Sequence, residues 1–234
     1  MKGFNMKSSP TFNFKKHFST YNHYAYVQKK VAQELIEWIP KINIQTALEI
    51  GCGTGIFTEQ IINYFHPKTL IINDYYDTRP FLSVPYSDFL LGNVEKIELP
   101  KTEIILSSSV FQWINTNNLN ALFEKLSKKC SSLAFSMYVE GNLKEIKEHF
   151  DYSLNYQAPV NIKRILEKYF PSVKMKNSTY VYHFQQPIEA LKHLKYTGVT
   201  NTLNKTSLSK LRHFPSKTLT YEVGYFYTFN EIQK

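Results

Sequence analysis

Long apolar runs are missing from this 234-residue chain. No stretch approaches the roughly 20 residues that span a bilayer, and the Lys/Asn/Ser/Phe-rich N-terminus lacks the apolar segment of a secretory signal. The expectation is a cytoplasmic protein with no membrane partner. Cysteine is nearly absent too. Cys52 and Cys130 make neither a disulfide framework nor a metal set, so no metal is expected and both thiols read as packing residues. Arginine is scarce: only Arg79, Arg164 and Arg212 among 28 Lys and Arg. Arginine is the usual reader of bases and phosphates in bidentate geometry, so its scarcity argues against nucleic acid as the partner. Positive charge itself is not short. Residues 1–140 carry 14 Lys and Arg against 12 Asp and Glu, whereas 141–234 carry 14 against 7, for a net of +9 overall. A basic C-terminal half suits an acidic partner. With 43% hydrophobic and 15% aromatic residues the chain can bury one substantial core. One domain is expected over 21–234, preceded by a polar arm at 1–20 in which Phe4, Phe12, Phe14 and Phe18 are candidate anchors.

The stretch Ala47-Leu-Glu-Ile-Gly-Cys-Gly-Thr-Gly55 organises the rest. Residues 46–50 read as a buried strand, and Ile56, Ile61, Ile62 and Phe65 recur at helical spacing, which puts the glycines between strand and helix. Glycines at 51, 53 and 55 let backbone approach a ligand beside a helix N-terminus. A Gly-x-Gly-x-x-Gly dinucleotide fingerprint needs glycine at position 56, which is Ile, so pyrophosphate is not favoured. Glu49, Gly51, Gly53 and Gly55 resemble instead the Glu-x-Gly-x-Gly-x-Gly motif of class I S-adenosylmethionine-dependent methyltransferases. That resemblance implies an α/β fold with a seven-stranded, mostly parallel sheet covered by helices on both faces. It also implies S-adenosylmethionine as cofactor, with Glu49, Gly51, Cys52, Gly53 and Gly55 among its binding residues.

Along the chain, Val27, Val31, Leu35 and Trp38/Ile39 define one helical face that Pro40 ends. In the resembling enzymes such a helix covers the cofactor end of the sheet, so Tyr21-Asn22 would close the transfer site. Thr69–Asp74 reads as a strand ending in an acid, and a carboxylate there suits two ribose hydroxyls; Asp77 is the alternative. Phe89–Glu95 would set Asn93 and Val94 beside adenine. Asn93 stands where such families more often have Asp, and its amide oxygen can still accept. Glu103–Ser109 is the fourth strand, with Ser107 at the switch-point edge. Its Ser-Ser-Ser ending lacks the Pro-Pro motif of base N-methyltransferases, and neither cysteine is placed as a C5 nucleophile, which disfavours base methylation. Ser132–Met137 reads as the fifth strand. Residues 141–170 are helical, exceed an ordinary crossover and are read as a small cap over the active site. Val173–Phe184 alternates as a strand. Pro187 opens a helix burying Ile188, Leu191 and Leu194, with Lys192, His193 and Lys195 off that stripe and Gly198 at its end. Leu219–Phe229 is the last strand.

These ordered pieces resemble one branch, the malonyl-[acyl-carrier protein] O-methyltransferases of biotin synthesis. The resembling pieces are Tyr21-Asn22 with Val27-Gln28, Gly92-Asn-Val-Glu95, Ser107 through Gln112-Trp113-Ile114, Phe135-Ser with Gly141-Asn-Leu143, Leu194-Lys-Tyr-Thr-Gly-Val-Thr200, and Leu219-Thr-Tyr221, and of these Gln112-Trp113 and Leu194 through Thr200 narrow it to this branch. The resemblance implies methyl transfer to the free carboxylate of malonyl-acyl-carrier protein. A carboxylate is already ionised at pH 7, so no general base is required. Tyr21, Gln112 and Tyr138 would orient the acceptor, with Lys195, or else Arg79 or Lys192, as its cation. An acidic carrier protein would dock on the basic half, through Lys144, Lys147, Lys163, Lys192 and Lys195. The remaining alternatives are another small-molecule class I methyltransferase, or a non-catalytic S-adenosylmethionine-binding or RNA-associated module.

Overall fold

The computed structural model describes residues 18–198 and 207–229. Most of the arm at 1–20, and the Val199-Thr200 end of the helix motif, lie outside these. One sheet has the order β3-β2-β1-β4-β5-β7-β6. Its strands are β1 (Thr46–Ile50), β2 (Thr69–Asp74), β3 (Asp88–Leu91), β4 (Thr102–Ser108), β5 (Cys130–Tyr138), β6 (Ser172–His183) and β7 (Thr218–Phe229). β1 to β5 pair in parallel, and β7 runs antiparallel between β5 and β6. This is the seven-stranded α/β sheet that the glycine motif implies.

Alternation builds the core. In β1, Ala47 enters one apolar cluster while Leu48 and Ile50 enter the other; in β4, Ile104 and Leu106 oppose Ile105; in β5, Ala134 opposes Leu133 and Phe135. Strands buried on both faces need apolar residues at successive positions, and the period of two divides them between layers. The helices are α1 (Phe18–Tyr24), α2 (Tyr26–Trp38), α3 (Ile56–Phe65), α4 (Leu119–Ser127), α5 (Lys144–Phe150), α6 (Pro159–Leu166), α7 (Pro187–Tyr196) and α8 (Leu208–Arg212). The first layer takes α2, α3, α5 and α7, and the second takes α4 and α6. Val27, Val31 and Leu35 are fully buried, the stripe expected of α2.

One local reading changes, the buried stripe of α7. Residues 141–170 contribute nothing to the lining of the main cavity. Instead Ile146 and Phe150 of α5 join the first layer, and Ile162 and Leu166 of α6 are sealed in the second. Among the described helices, α1 contributes Tyr21 to that lining and α2 contributes Gln28 and Ala32. On α7 the buried stripe is Ala190, Leu191, His193 and Leu194, while Ile188 is 48% exposed. His193 turns inward because Tyr26, Phe184 and Tyr221 box its ring, with Tyr221 Oη 2.9 Å from Nε2. The β2–β3 connection, residues 75–87, has no α-helix and makes only a 3₁₀ turn at Arg79–Phe81. The strand order reverses between β1 and β4, which leaves a crevice beyond their carboxyl ends.

Candidate functional site

The crevice holds a cavity of about 310 Å³. Its floor is the glycine corner, where Gly51, Gly53 and Gly55 have φ of +76°, +53° and +86°. Gly51 passes so close to Val110 that a Cβ would lie 2.3 Å from its Cγ2. At Gly53 a Cβ would meet no atom within 4 Å, because that face opens into the cavity. The N–H groups of Gly51 and Cys52 both donate to Asn73 O, at 2.8 and 2.9 Å, which ties the corner to the end of β2.

Two acids converge on this corner. Asp74 lines the cavity, accepting from Gly53 N and Tyr76 N at 2.9 Å each, and burial raises its pKa. Glu49 lies behind the glycines. Its Oε2 accepts from Thr58 Oγ1 at 2.6 Å, while Oε1 has no partner among the described residues. Burial is the main cause that pushes Glu49 up to about 8, and the nearby Asp74 adds to it. Asp77 is turned elsewhere: Arg79 donates to both of its carboxylate oxygens at 2.8 Å. Neither Asp77 nor Arg79 is part of the cavity lining.

The roof is α1. Tyr21 lines the cavity, Thr54 Oγ1 donates to Asn22 Oδ1 at 2.5 Å, and Phe18 packs on Phe81 with ring centroids 5.2 Å apart. One wall is the turn after β3. Asn93 Oδ1 accepts from Glu95 N at 2.8 Å, Asn118 Nδ2 donates to Glu95 Oε1 at 2.7 Å, and Lys125 Nζ donates to Val94 O at 2.9 Å and to Ile97 O. The opposite wall is the exit of β4, where Ser108, Ser109, Val110, Trp113 and Ile114 face inward.

The cavity therefore gathers Tyr21, Gly51, Cys52, Gly53, Asp74, Asn93 and Val94 from the predicted set. Glu49, Gly55, Ser107, Gln112 and Tyr138 stand outside its lining. Ser107 is buried in the strand, with Oγ donating to Ile50 O at 2.9 Å, and its neighbours Ser108 and Ser109 take the inward places. Gln112 folds back, Nε2 donating to Ser109 O at 2.5 Å. Lys195 and Lys192 are exposed on α7; Lys195 Nζ lies 6.0 Å from the Tyr196 ring centroid. Sequence reasoning did not single out Thr54, Tyr75, Tyr76 or Ser109 as ligand-facing. Gln28 carried a signal, being a polar residue beside the apolar stripe of α2, and its buried Oε1 has no partner among the described residues.

No family model matches the chain. A malonyl-[acyl-carrier protein] O-methyltransferase of Calditerrivibrio nitroreducens is 35% identical over 231 residues, 93% of this chain and 91% of that protein. One of Bacteroides thetaiotaomicron is 30% identical, covering 83% of this chain and 78% of that protein. Among solved structures, the N-methyltransferase NodS of Bradyrhizobium japonicum with S-adenosylhomocysteine matches with TM-score 0.55 at 9% identity, over 96% of this chain and all of that one. A phosphoethanolamine N-methyltransferase 2 of Haemonchus contortus with S-adenosylmethionine matches with TM-score 0.57 at 15% identity, over 91% of this chain and 56% of that one. These two share the fold.

Proposed function

The chain belongs to the malonyl-[acyl-carrier protein] O-methyltransferase family, and from that premise we propose that it methylates the free carboxylate of malonyl-acyl-carrier protein using S-adenosylmethionine. The observation that carries this reading is the open glycine corner between a buried acid, Glu49, and a half-buried one, Asp74. Its chemistry fits the donor. Gly53 leaves room that a Cβ would fill, Glu49 Oε1 is an unpartnered oxygen suited to an ammonium, and Asp74 suits ribose hydroxyls. Asn93 and Val94, held from behind by Lys125, form the place for adenine. When bound, the donor supplies an electrophilic methyl on a positively charged sulfur.

The remaining work is positioning. Tyr21 from the roof, with Tyr138 and Gln112 behind the β4 wall, orients the acceptor, and α1 excludes water from it. Holding nucleophile and methyl in line contributes about 7–11 kcal/mol to such a reaction without any base. Incubation with labelled S-adenosylmethionine and malonyl-carrier protein tests the reading. A base-labile labelled ester on the carrier is expected; label on RNA, or on none of these, would overturn it.

The carrier is acidic in this proposal, and the enzyme meets it in the cytoplasm. Lys144, Lys147, Lys192 and Lys195 are exposed, whereas Lys163 is paired with Glu167. Reversing the four exposed lysines to Glu is expected to raise KM for the carrier substrate by roughly tenfold at low salt. KM for a short malonyl thioester should not move, and an equal rise for both would sink the docking assignment. Lys125→Met removes the bond to Val94 O. It is expected to raise KM for the donor by about tenfold, with the acceptor KM unchanged, in steady-state assays that vary each substrate.

A further inference from the structure

Four of the eight buried side-chain polar atoms that make no hydrogen bond of good geometry among the described residues lie just beyond the carboxyl ends of two adjacent strands, where the Ser109 and Tyr138 side chains face one another and Asn142 faces Tyr156. They are Ser109 Oγ and Gln112 Oε1 after β4, and Tyr138 Oη and Asn142 Nδ2 at and after β5. Buried polar atoms are normally satisfied, and Ser109 is the one of these four residues that lines the cavity, with the Tyr138 hydroxyl directly behind it. Topology brings them together: Ser109 N donates to Ser136 O at 2.9 Å, and Tyr138 is two residues on, on the same face of β5.

Ser109 also has a strained backbone. It is one of four non-glycine residues among those described with positive φ, at +59°. His66 and Asp151 are helix C-caps, where that conformation is routine, and Leu143 is the N-cap of α5, away from the cavity. Ser109 instead lines the cavity, at a strand exit, with its carbonyl fixing the Gln112 amide. Strain of this kind persists where surrounding structure enforces it, and it concentrates at ligand sites.

We propose that Ser109 is a substrate-binding residue whose hydroxyl donates to the acceptor carboxylate, with the Tyr138 hydroxyl as a second donor. This rests on the proposed methylation of malonyl-carrier protein. Neutral donors suit that chemistry. As the carboxylate oxygen forms its bond to the methyl group, the S–CH₃ bond breaks with its electron pair going to sulfur, and both charges vanish. A full cation on the carboxylate would stabilise the starting state more than the transition state, whereas a hydroxyl orients with less of that penalty. The lining fits this, since no Lys, Arg or His is found among its described residues.

Ser109→Ala and Ser109→Gly, assayed with malonyl thioester beside wild type, test the assignment. Ser109→Ala is expected to raise KM for the thioester by roughly tenfold to a hundredfold, the factor for a hydrogen bond to a charged group, with donor affinity unchanged by calorimetry. Inhibition by the carboxamide analogue of the thioester should weaken much less. Ser109→Gly should share the KM defect yet melt at a higher temperature than Ser109→Ala, because glycine relieves the left-handed backbone. An unchanged KM, equal losses for carboxylate and carboxamide, or no difference in melting between the two variants would overturn the proposal. Failure of wild type to methylate any malonyl thioester would overturn the functional reading instead.

Discussion

Gly53→Ala is expected to leave the protein folded and cost it at least a hundredfold in affinity for the methyl donor. At φ +53° an alanine is strained by about 1–2 kcal/mol, which a single domain of this size tolerates. Its methyl group would meet nothing in the protein, since no heavy atom lies within 4 Å. It would instead occupy the space proposed for the ligand. Gly51→Ala gives the opposite phenotype. There the new Cβ falls 2.3 Å from Val110 Cγ2 and 3.0 Å from Cγ1, so the clash is with the protein's own wall. Overpacking of that kind destabilises by about 1–3 kcal/mol, on top of the backbone strain, and Val110→Ala should recover part of the loss. Thermal unfolding together with calorimetry on S-adenosylhomocysteine separates the two cases. Binding by Gly53→Ala at wild-type strength would remove the glycine corner from the donor site.

The second large effect is on stability against pH. Glu49 titrates at about 8 in the folded protein against an ordinary 4.5, because burial and Asp74 disfavour its charge. A carboxyl raised in this way contributes fully below pH 4.5, and its contribution is lost as pH climbs to 8, by about 5 kcal/mol at most. His193 acts in the reverse sense. Burial lowers it from 6.5 to about 4, so the neutral ring is favoured and stability is lost as pH falls from 6.5 toward 4, by about 3 kcal/mol. The two slopes oppose one another between pH 4.5 and 6.5. Above 6.5 Glu49 is the one of these two groups that still loses stability. The protein without ligand should therefore lose melting temperature from pH 6.5 to 8, and Glu49→Gln, which keeps the bond from Thr58, should remove that decline. Saturation with S-adenosylhomocysteine, whose ammonium is assigned to Glu49, should flatten the same limb. Identical pH profiles for wild type and Glu49→Gln would show that the carboxyl is ionised in the fold.

Local pattern carried much of this molecule. Alternation in Ala47–Ile50, the glycines at 51, 53 and 55, and the acid at the end of Thr69–Asp74 are each written within a few residues, and they suffice for strand, corner and acid. What pattern could not carry is which side chain points where once distant segments meet. Asp74 and Asp77 are equivalent in sequence until Arg79 folds back onto one of them. Ser107, Ser108 and Ser109 are three identical residues until the strand ends and a left-handed turn puts Ser109 on the cavity. His193 looks like a surface residue of α7 until Tyr26 from α2 and Tyr221 from β7 close around it. Helical length at 141–170 suggests a cap; Ile162 and Leu166 of that stretch are buried in the second layer, and none of its residues lines the cavity. Backbone propensity and hydrophobic period act over neighbouring residues and so can be read from the chain. Ion pairing, burial and strain act between segments, and those forces decided which residues of this chain face the cavity.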